Sequence, residues 1–250
     1  MATALSVNLN KIALIRNSRE TKYPCVVAHA KTCIEAGAQG ITVHPRPDQR
    51  HIRPADVYDL ASLLKKYPTI EYNIEGNPFA KSLGAYPGFM ALVETVKPHQ
   101  CTLVPDSSDQ LTSDHGFDLM IAGEKLKPII NKLHDLGVRV SLFMDPVVAQ
   151  IKLAKEIGAD RIELYTGPYA DAVERNQNAD EVFQQFYTAA EAANELGLGV
   201  NAGHDLNLKN LGKFAAIPNL LEVSIGHALI VDAIDQGLAN AVRAYLALLG

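Results

Sequence analysis

Leu136-Gly137-Val138-Arg139-Val140-Ser141-Leu142-Phe143-Met144 has the residue order of a helix end followed by a strand. Gly137 can adopt the left-handed conformation that commonly ends a helix, and the run after it has the composition of a strand. The same unit, an apolar-periodic helix, a glycine and a short β-rich run, recurs at Gly37, Gly158 and Gly197. Because parallel strands need crossover connections of this kind, the unit predicts a parallel sheet.

Eight candidate strands alternate with helices along the chain. They are Ser6–Asn8, Ile41–His44, Ile70–Glu75, Gln100–Val104, Arg139–Met144, Arg161–Tyr165, Gly199–Ala202 and Glu222–Ser224. This number of strands in 250 residues predicts one α/β domain over residues 1–250, a single (β/α)8 TIM barrel with parallel strands. A doubly wound open sheet is the alternative, but no glycine-rich dinucleotide loop follows an early strand.

The composition, with 48% apolar and 20% charged residues, is sufficient for one buried core. The net charge of −5 argues against nucleic acid as a partner, because proteins that bind nucleic acid carry a basic face. Cys25, Cys33 and Cys101 form no CxxC pair, so neither a disulfide framework nor a cysteine zinc site is predicted. Residues 1–10 lack a signal-peptide pattern and no apolar run approaches the ~18 residues that span a bilayer. We therefore expect a cytoplasmic protein that does not associate with membranes.

Polar residues end most of the predicted strands, which is where the active site of a TIM barrel lies. They are Asn8, His44, Glu75, Asp145, Thr166, His204 and the pair Gly226–His227. The longest irregular stretch, Pro105 to Gly123, follows the fourth strand on the same face of the barrel. A loop of that length inside a compact domain is usually functional.

His44 begins a segment, residues 44–53, that contains two histidines and three arginines. Strand alternation directs Thr42 and His44 towards the barrel interior. The segment is interpreted as an anion site, because guanidinium groups match phosphate oxygens and prolines stiffen the loop. A solvated charged loop is the simpler alternative.

Two Gly-His pairs, Gly203-His204 and Gly226-His227, end the seventh and eighth strands. Many barrels bind phosphate after these strands, with amides left free at a helix N-terminus. The second pair is predicted to open the last helix. Each glycine could also serve only a tight turn.

Glu75 ends the third strand, beside the second strand of a barrel, so it could share a pocket with His44. A partly buried carboxylate there can act as a general base, and a salt bridge to a loop arginine is the alternative. Glu71 and Asn73 share its face, so a polar inner stripe is also consistent. We predict Glu75 as the acid at the mouth, because Gly76-Asn77-Pro78 follows it as a strand-ending turn.

Histidine and glutamate together raise the possibility of a metal site, but the first strand lacks the His-x-His pair of metal-dependent amidohydrolase barrels. No lysine ends the sixth strand, which disfavours a Schiff-base aldolase.

The chain resembles the pyridoxine 5′-phosphate synthase family along almost its whole length. The matching segments are Val7–Asn10, Gly40–Arg46, Arg50–Ile52, Lys97–Pro105, Val140–Phe143, Ile162–Ala170, Val200–His204 and Ile225–Ala228. The resemblance implies that 3-amino-2-oxopropyl phosphate is joined to 1-deoxy-D-xylulose 5-phosphate to give pyridoxine 5′-phosphate, phosphate and water. It implies no cofactor, no metal, and a homo-octamer built from dimers.

The resemblance also implies roles for particular residues. Proton transfer falls on His44, Glu75 and His204. The aminoketone phosphate would be bound by Asn8, Arg19, Asp205, Gly226 and His227, and the pentulose phosphate by Asn10, Lys11, Arg46, His51 and Thr112. The loop Pro105–Gly123 would close over the pentulose phosphate to keep water from reactive imines.

The chain departs from the family pattern in two places. Asn10-Lys11 replaces an Asp-His pair, and Asp205 replaces a glycine after His204. Lys11 can donate to a phosphate but cannot accept a proton from substrate. Two other functions are weighed: a sugar-phosphate isomerase or epimerase barrel, and a barrel that only binds pyridoxine phosphate. The second would be expected to have lost the strand-end acids and bases, which this chain retains.

Overall fold

The computed structural model of the chain describes residues 2–19, 21–107 and 109–250, and its eight strands form a closed barrel. The strands are β1 (Ala4–Asn8), β2 (Gly40–Val43), β3 (Glu71–Gly76), β4 (Gln100–Leu103), β5 (Arg139–Met144), β6 (Arg161–Tyr165), β7 (Gly199–Gly203) and β8 (Leu220–Ile225). Each strand pairs in parallel with the next, and β8 pairs with β1 to close the barrel. The predicted (β/α)8 TIM barrel is confirmed, and the predicted strand ends differ by no more than two residues.

Helices connect the strands and surround the barrel. They are α1 (Asn10–Asn17), α2 (Val26–Glu35), α3 (Pro54–Leu64), α4 (Phe89–Val96), α5 (Leu119–Asp135), α6 (Val148–Glu156), α7 (Gly167–Glu174), α8 (Ala179–Glu195), α9 (Leu211–Phe214), α10 (His227–Gln236) and α11 (Leu238–Ala247). None of the helices in the described part of the chain has the length and apolarity that a bilayer crossing requires.

Two predicted boundaries at the functional face were wrong. The irregular stretch after β4 ends at Asp118 rather than Gly123, because the Asp118 side chain accepts a hydrogen bond from the Met120 amide at 3.0 Å and so caps α5. Gly123 is buried inside α5. His227 opens α10, which is not the last helix, because Gly237 ends α10 and the chain continues into α11.

The two faces of the strands have different chemistry. Apolar side chains such as Ile41, Val43 and Ile74 are fully buried in the hydrophobic core. The barrel interior contains hydrogen-bonded polar side chains instead of the branched apolar residues that usually fill it. Thr42 Oγ1 lies 2.7 Å from Ser6 Oγ, and Thr102 Oγ1 donates to Glu163 Oε2 at 3.1 Å. This polar interior continues up to the carboxyl ends of the strands, where the candidate site lies.

Candidate active site

A cavity of about 390 Å³ opens at the carboxyl ends of the strands. Twelve of the residues predicted for the site line it: Asn8, Asn10, Lys11, His44, Arg46, His51, Glu75, Thr112, His204, Asp205, Gly226 and His227. Arg19 is not part of this lining; it is exposed and follows α1. The fold therefore brings together residues from nearly the whole chain, while a role for Arg19 stays a prediction.

His44 and Glu75 form the buried centre of the cavity. His44 Nδ1 lies 4.0 Å from Glu75 Oε2, and both side chains are almost inaccessible to solvent. Burial, together with the nearby charges of Arg46 and His204, lowers the pKa of His44 to about 3. Burial raises the pKa of Glu75 well above its usual value, as does the nearby Glu163 carboxylate. Both groups are therefore held in their uncharged forms, a histidine that can accept a proton beside a carboxyl that can donate one.

Glu71, the alternative acid, lies at the other end of β3. It pairs with Gly40 at the start of β2, and its carboxylate forms a salt bridge with Arg139. Partial burial alone would raise the pKa of Glu71, but the hydrogen bond from Arg139 outweighs it and lowers that pKa below its usual value. Glu71 is therefore a charged partner of an arginine at the amino-terminal end of the barrel, and Glu75 is the acid in the cavity.

Asn8 and Asn10 link the first three strands at the cavity floor. Asn8 Nδ2 donates to Glu75 Oε2 at 3.3 Å, and Asn8 Oδ1 accepts from the Asn10 amide at 3.0 Å. Asn10 Oδ1 accepts a hydrogen bond from the His44 amide at 2.9 Å. Asn10 thus serves as an acceptor that positions His44, a function that an aspartate at this position could also perform.

His204 lies across the cavity between aromatic rings and the loop after β4. Its ring centroid is 5.5 Å from that of Tyr165 and 6.4 Å from that of Phe143, and Nε2 is 3.0 Å from Thr112 Oγ1. Burial lowers the pKa of His204, although the Asp205 carboxylate acts in the opposite direction. His204 and Asp205 have φ values of 84° and 57°, left-handed conformations in which aspartate is tolerated better than most residues.

Two arginines join the loops after β2 and β4. Arg46 donates through Nη1 to the Gln110 carbonyl at 2.7 Å and through Nη2 to the Asp106 carboxylate. Arg50 Nη1 donates to the carbonyl oxygens of Gln110 and Leu111 at 2.9 and 3.1 Å. The predicted cationic segment therefore faces the cavity on one side and holds the β4–α5 loop on the other.

Gly226 and His227 form another part of the cavity wall, at the N-terminus of α10. Gly226 is the N-cap residue, and the first amides of a helix have no partner within it. A Cβ on Gly226 would lie 3.1 Å from Asn8 Cβ, so the glycine permits β8 and β1 to approach closely at the cavity. The free amides and the helix dipole make this wall suitable for an anion.

Ser224 and Glu163 also line the cavity but were not predicted from the sequence. Burial raises the pKa of Glu163 to about 8. Alternation along β6 directs Glu163 inward, a signal available in the sequence. Ser224 Oγ donates to Glu75 Oε1 at 3.4 Å, a contact that depends on barrel closure and has no local sequence signal. Among the described residues, no group of three or more histidines, cysteines and acids is arranged to hold a metal ion.

Solved structures with similar folds agree with the barrel topology. A structure from Aquifex aeolicus VF5 aligns with a TM-score of 0.64 at 14% identity, over 99% of this chain and 93% of that chain. The 3-hexulose-6-phosphate synthase of Salmonella typhimurium aligns with a TM-score of 0.63 at 15% identity, over 99% and 98% of the two chains. At these identities the likeness concerns the fold alone.

Sequence relatives are much closer. The pyridoxine 5′-phosphate synthase of Xanthomonas campestris pv. campestris (strain B100) is 54% identical over 250 residues, 100% of this chain and 97% of the relative. That of Xylella fastidiosa (strain 9a5c) is 53% identical over 248 residues, 99% and 95% of the two chains. The family profile described as pyridoxal phosphate biosynthesis protein PdxJ matches residues 5–250. The chain therefore belongs to the PdxJ family, the family of the pyridoxine 5′-phosphate synthases.

Proposed function

We propose that the protein is a pyridoxine 5′-phosphate synthase, which condenses 3-amino-2-oxopropyl phosphate with 1-deoxy-D-xylulose 5-phosphate and releases phosphate and water. The observation that carries the proposal is the convergence of His44, Glu75 and His204 on one cavity with anion-binding groups on two of its walls. Membership of the family, at more than half identity over the full length of named synthases, supports the same reaction.

The reaction requires repeated proton transfer and no redox step. Imine formation, enolisation, phosphate elimination, ring closure and dehydration each move a proton between substrate and protein or solvent. Neutral His44 accepts a proton from substrate, and protonated Glu75, whose Oε2 lies 4.0 Å from His44 Nδ1, supplies one. His204, on the far side of the cavity, acts on a second position of the forming ring.

The two phosphates are assigned to two different groups of residues that line the cavity. The aminoketone phosphate binds Asn8, Asp205 and the amides of Gly226 and His227 at the start of α10, where the helix dipole favours an anion. Arg19 belongs to this group by family resemblance alone. The pentulose phosphate binds the wall formed by Asn10, Lys11, Arg46, His51 and Thr112. Burial lowers the pKa of His51 to about 3, so its contribution to this wall is that of a neutral hydrogen-bonding group.

Product identity tests the function directly. Purified protein incubated with both substrates is expected to yield pyridoxine 5′-phosphate, identified by mass and by the ultraviolet absorption of the pyridine ring. Reactions lacking either substrate serve as controls and are expected to yield none. Conversion of one sugar phosphate into an isomer without a pyridine product would instead identify an isomerase or epimerase, and binding without turnover would identify a carrier.

We propose that the enzyme acts in the cytoplasm as a homo-octamer built from dimers, with one barrel domain of residues 1–250 in each subunit. Light scattering coupled to size-exclusion chromatography gives the mass of the assembly. A mass near eight times the 27.1 kDa of one chain is expected, and a monomer at working concentration would contradict the assembly.

A further inference from the structure

Asp106 is a buried carboxylate to which the reaction described above gives no role. It follows β4 and Pro105 and is 7% exposed. Its Oδ2 atom accepts hydrogen bonds from Arg46 Nη2 and, at 2.9 Å, from Ser113 Oγ. His44 Nε2 lies 3.7 Å from the same oxygen. The Oδ1 atom is buried and has no hydrogen-bond partner within the described residues. A buried charge of this kind is costly unless its partners compensate for it, so its placement calls for an explanation.

Asp106 borders the active site through a neighbouring cavity. A second cavity of about 480 Å³ adjoins the active-site cavity, and His44, Arg46 and Arg50 line both. Asp106 lines the second cavity and is absent from the lining of the active-site cavity. It is therefore placed to act on Arg46, its hydrogen-bond partner, rather than on a substrate in the active-site cavity.

The backbone of Asp106 is fixed to the strand ends and not only to the loop. Asn77 Nδ2, just after β3, donates to the Asp106 carbonyl at 2.8 Å, and the Val104 amide donates to Gly76 O at 3.1 Å. The other partner of Arg46, the Gln110 carbonyl, lies farther along the loop. Movement of the loop tip would break the Gln110 contact, whereas the Asp106 contact would remain.

The pairing leaves Arg46 able to bind a second anion. A guanidinium group carries five N–H donors, and within the described residues Arg46 donates from two of its nitrogens, Nη1 to Gln110 and Nη2 to Asp106. A phosphate can therefore be bound without breaking the ion pair. An arginine held in one orientation also loses less conformational entropy when the phosphate arrives.

We propose that Asp106 is a positioning residue, which holds the Arg46 guanidinium in the orientation that binds the pentulose phosphate. The proposal rests on the function proposed above. The alternative is that Asp106 competes with the phosphate for Arg46. In that case removal of the Asp106 charge would lower the KM for the pentulose phosphate instead of raising it.

Steady-state kinetics of Asp106→Asn distinguish the two. The substitution keeps the side-chain shape and removes the charge that holds Arg46. The KM for 1-deoxy-D-xylulose 5-phosphate is expected to rise about tenfold, the equivalent of ~1.4 kcal/mol, while kcat changes less than about twofold. Asp48→Asn is the matched control, because Asp48 lines the same second cavity but forms its ion pair with Arg50 instead of Arg46. It is expected to leave both constants near wild type. A fall or no change in KM for Asp106→Asn would overturn the proposal, as would a loss confined to kcat.

A double-substitution cycle with Arg46→Gln tests whether the effect passes through Arg46. If it does, Asp106→Asn adds no further rise in KM to Arg46→Gln, whereas independent effects would multiply and contradict the proposal. The double variant replaces both charges of the buried pair, so it keeps the test available if Asp106→Asn alone does not fold.

Inorganic phosphate provides a readout that does not depend on turnover. Calorimetric titration of the full chain with phosphate is expected to give a Kd at least about fivefold higher for Asp106→Asn than for wild type and Asp48→Asn. If wild type binds phosphate in this Asp106-dependent way but makes no pyridine product, the proposed function fails and the positioning role stands. If product forms normally and neither Kd nor KM responds to Asp106→Asn, the positioning role fails and the function stands.

Discussion

At the scale of single residues, the chemistry of the cavity follows from burial acting on groups of opposite type. Burial disfavours charge, so it lowers the pKa of His44 and raises that of Glu75. Burial therefore favours a neutral His44 imidazole beside a protonated Glu75 carboxyl. Such a pair offers the substrates one group that can accept a proton and one that can donate a proton.

The first prediction concerns the two acids of β3. Glu75→Gln preserves shape but cannot exchange a proton, and turnover is expected to fall at least ~10²-fold. Glu71→Gln is the matched control at the other end of the same strand. Because the ion pair of Glu71 with Arg139 is partly exposed, the substitution is expected to lower the free energy of unfolding by no more than about 1 kcal/mol. Initial rates on folded variants decide the assignment. An active Glu75→Gln variant together with an inactive Glu71→Gln variant would identify Glu71, and not Glu75, as the acid of the active site. His44→Ala and His204→Ala are expected to lose turnover on the same scale as Glu75→Gln.

The second prediction is a pH dependence of stability. Because the folded-state pKa of His44 is about 3, below the unfolded value of 6.5, the unfolded chain binds the extra proton as the pH falls. The stability that neutral His44 contributes is complete above pH 6.5 and is lost progressively towards pH 3. The free energy of unfolding, measured with denaturant, is expected to decrease from pH 7 to pH 5. The decrease is expected to be roughly 2 kcal/mol larger for wild type than for His44→Gln. Equal decreases would show that His44 is not held neutral.

At the scale of elements, the loop between β4 and α5 contacts the residues that the substrates are expected to need. It touches Arg46, Arg50 and His204 in the structure. We predict that binding of the pentulose phosphate fixes this loop, with Thr112 reaching the ligand. Hydrogen exchange with and without ligand is expected to slow at residues 109–117, while the middle of α5 serves as an internal reference. Exchange that is the same in both states would contradict closure.

The start of α10 carries a further prediction at this scale. A crystal structure with 3-amino-2-oxopropyl phosphate is expected to place its phosphate within hydrogen-bond distance of the Gly226 and His227 amides. An occupied cavity whose phosphate lies elsewhere would refute this assignment of the wall.

The strand–helix alternation was readable from the sequence because glycine stops and β-rich runs are local signals. Position at a strand end was likewise enough to bring His44, Glu75 and His204 to one face. The early start of α5 was missed because the cap depends on one side-chain contact of Asp118. Asp106 was missed as a partner of Arg46 for a different reason: the two residues are 60 positions apart, and their pairing exists only after β2 to β4 have assembled.

At the scale of the whole molecule, barrel closure is what turns scattered polar residues into a site. Ser224 from β8 reaches Glu75 from β3 because β8 pairs with β1 and closes the barrel. The polar interior below them gives Glu75 buried acidic neighbours such as Glu163, which help to keep its proton in place. One cavity is therefore expected to perform the complete condensation of the two phosphorylated substrates.

The most direct test is to follow pyridine absorbance and inorganic phosphate release together in one reaction with both substrates. Pyridine product and released phosphate are expected to form in a ratio of one to one with wild type, and the rates of both are expected to fall at least ~10²-fold with Glu75→Gln. Phosphate release without the pyridine chromophore, or a chromophore that forms equally fast with Glu75→Gln, would contradict this prediction.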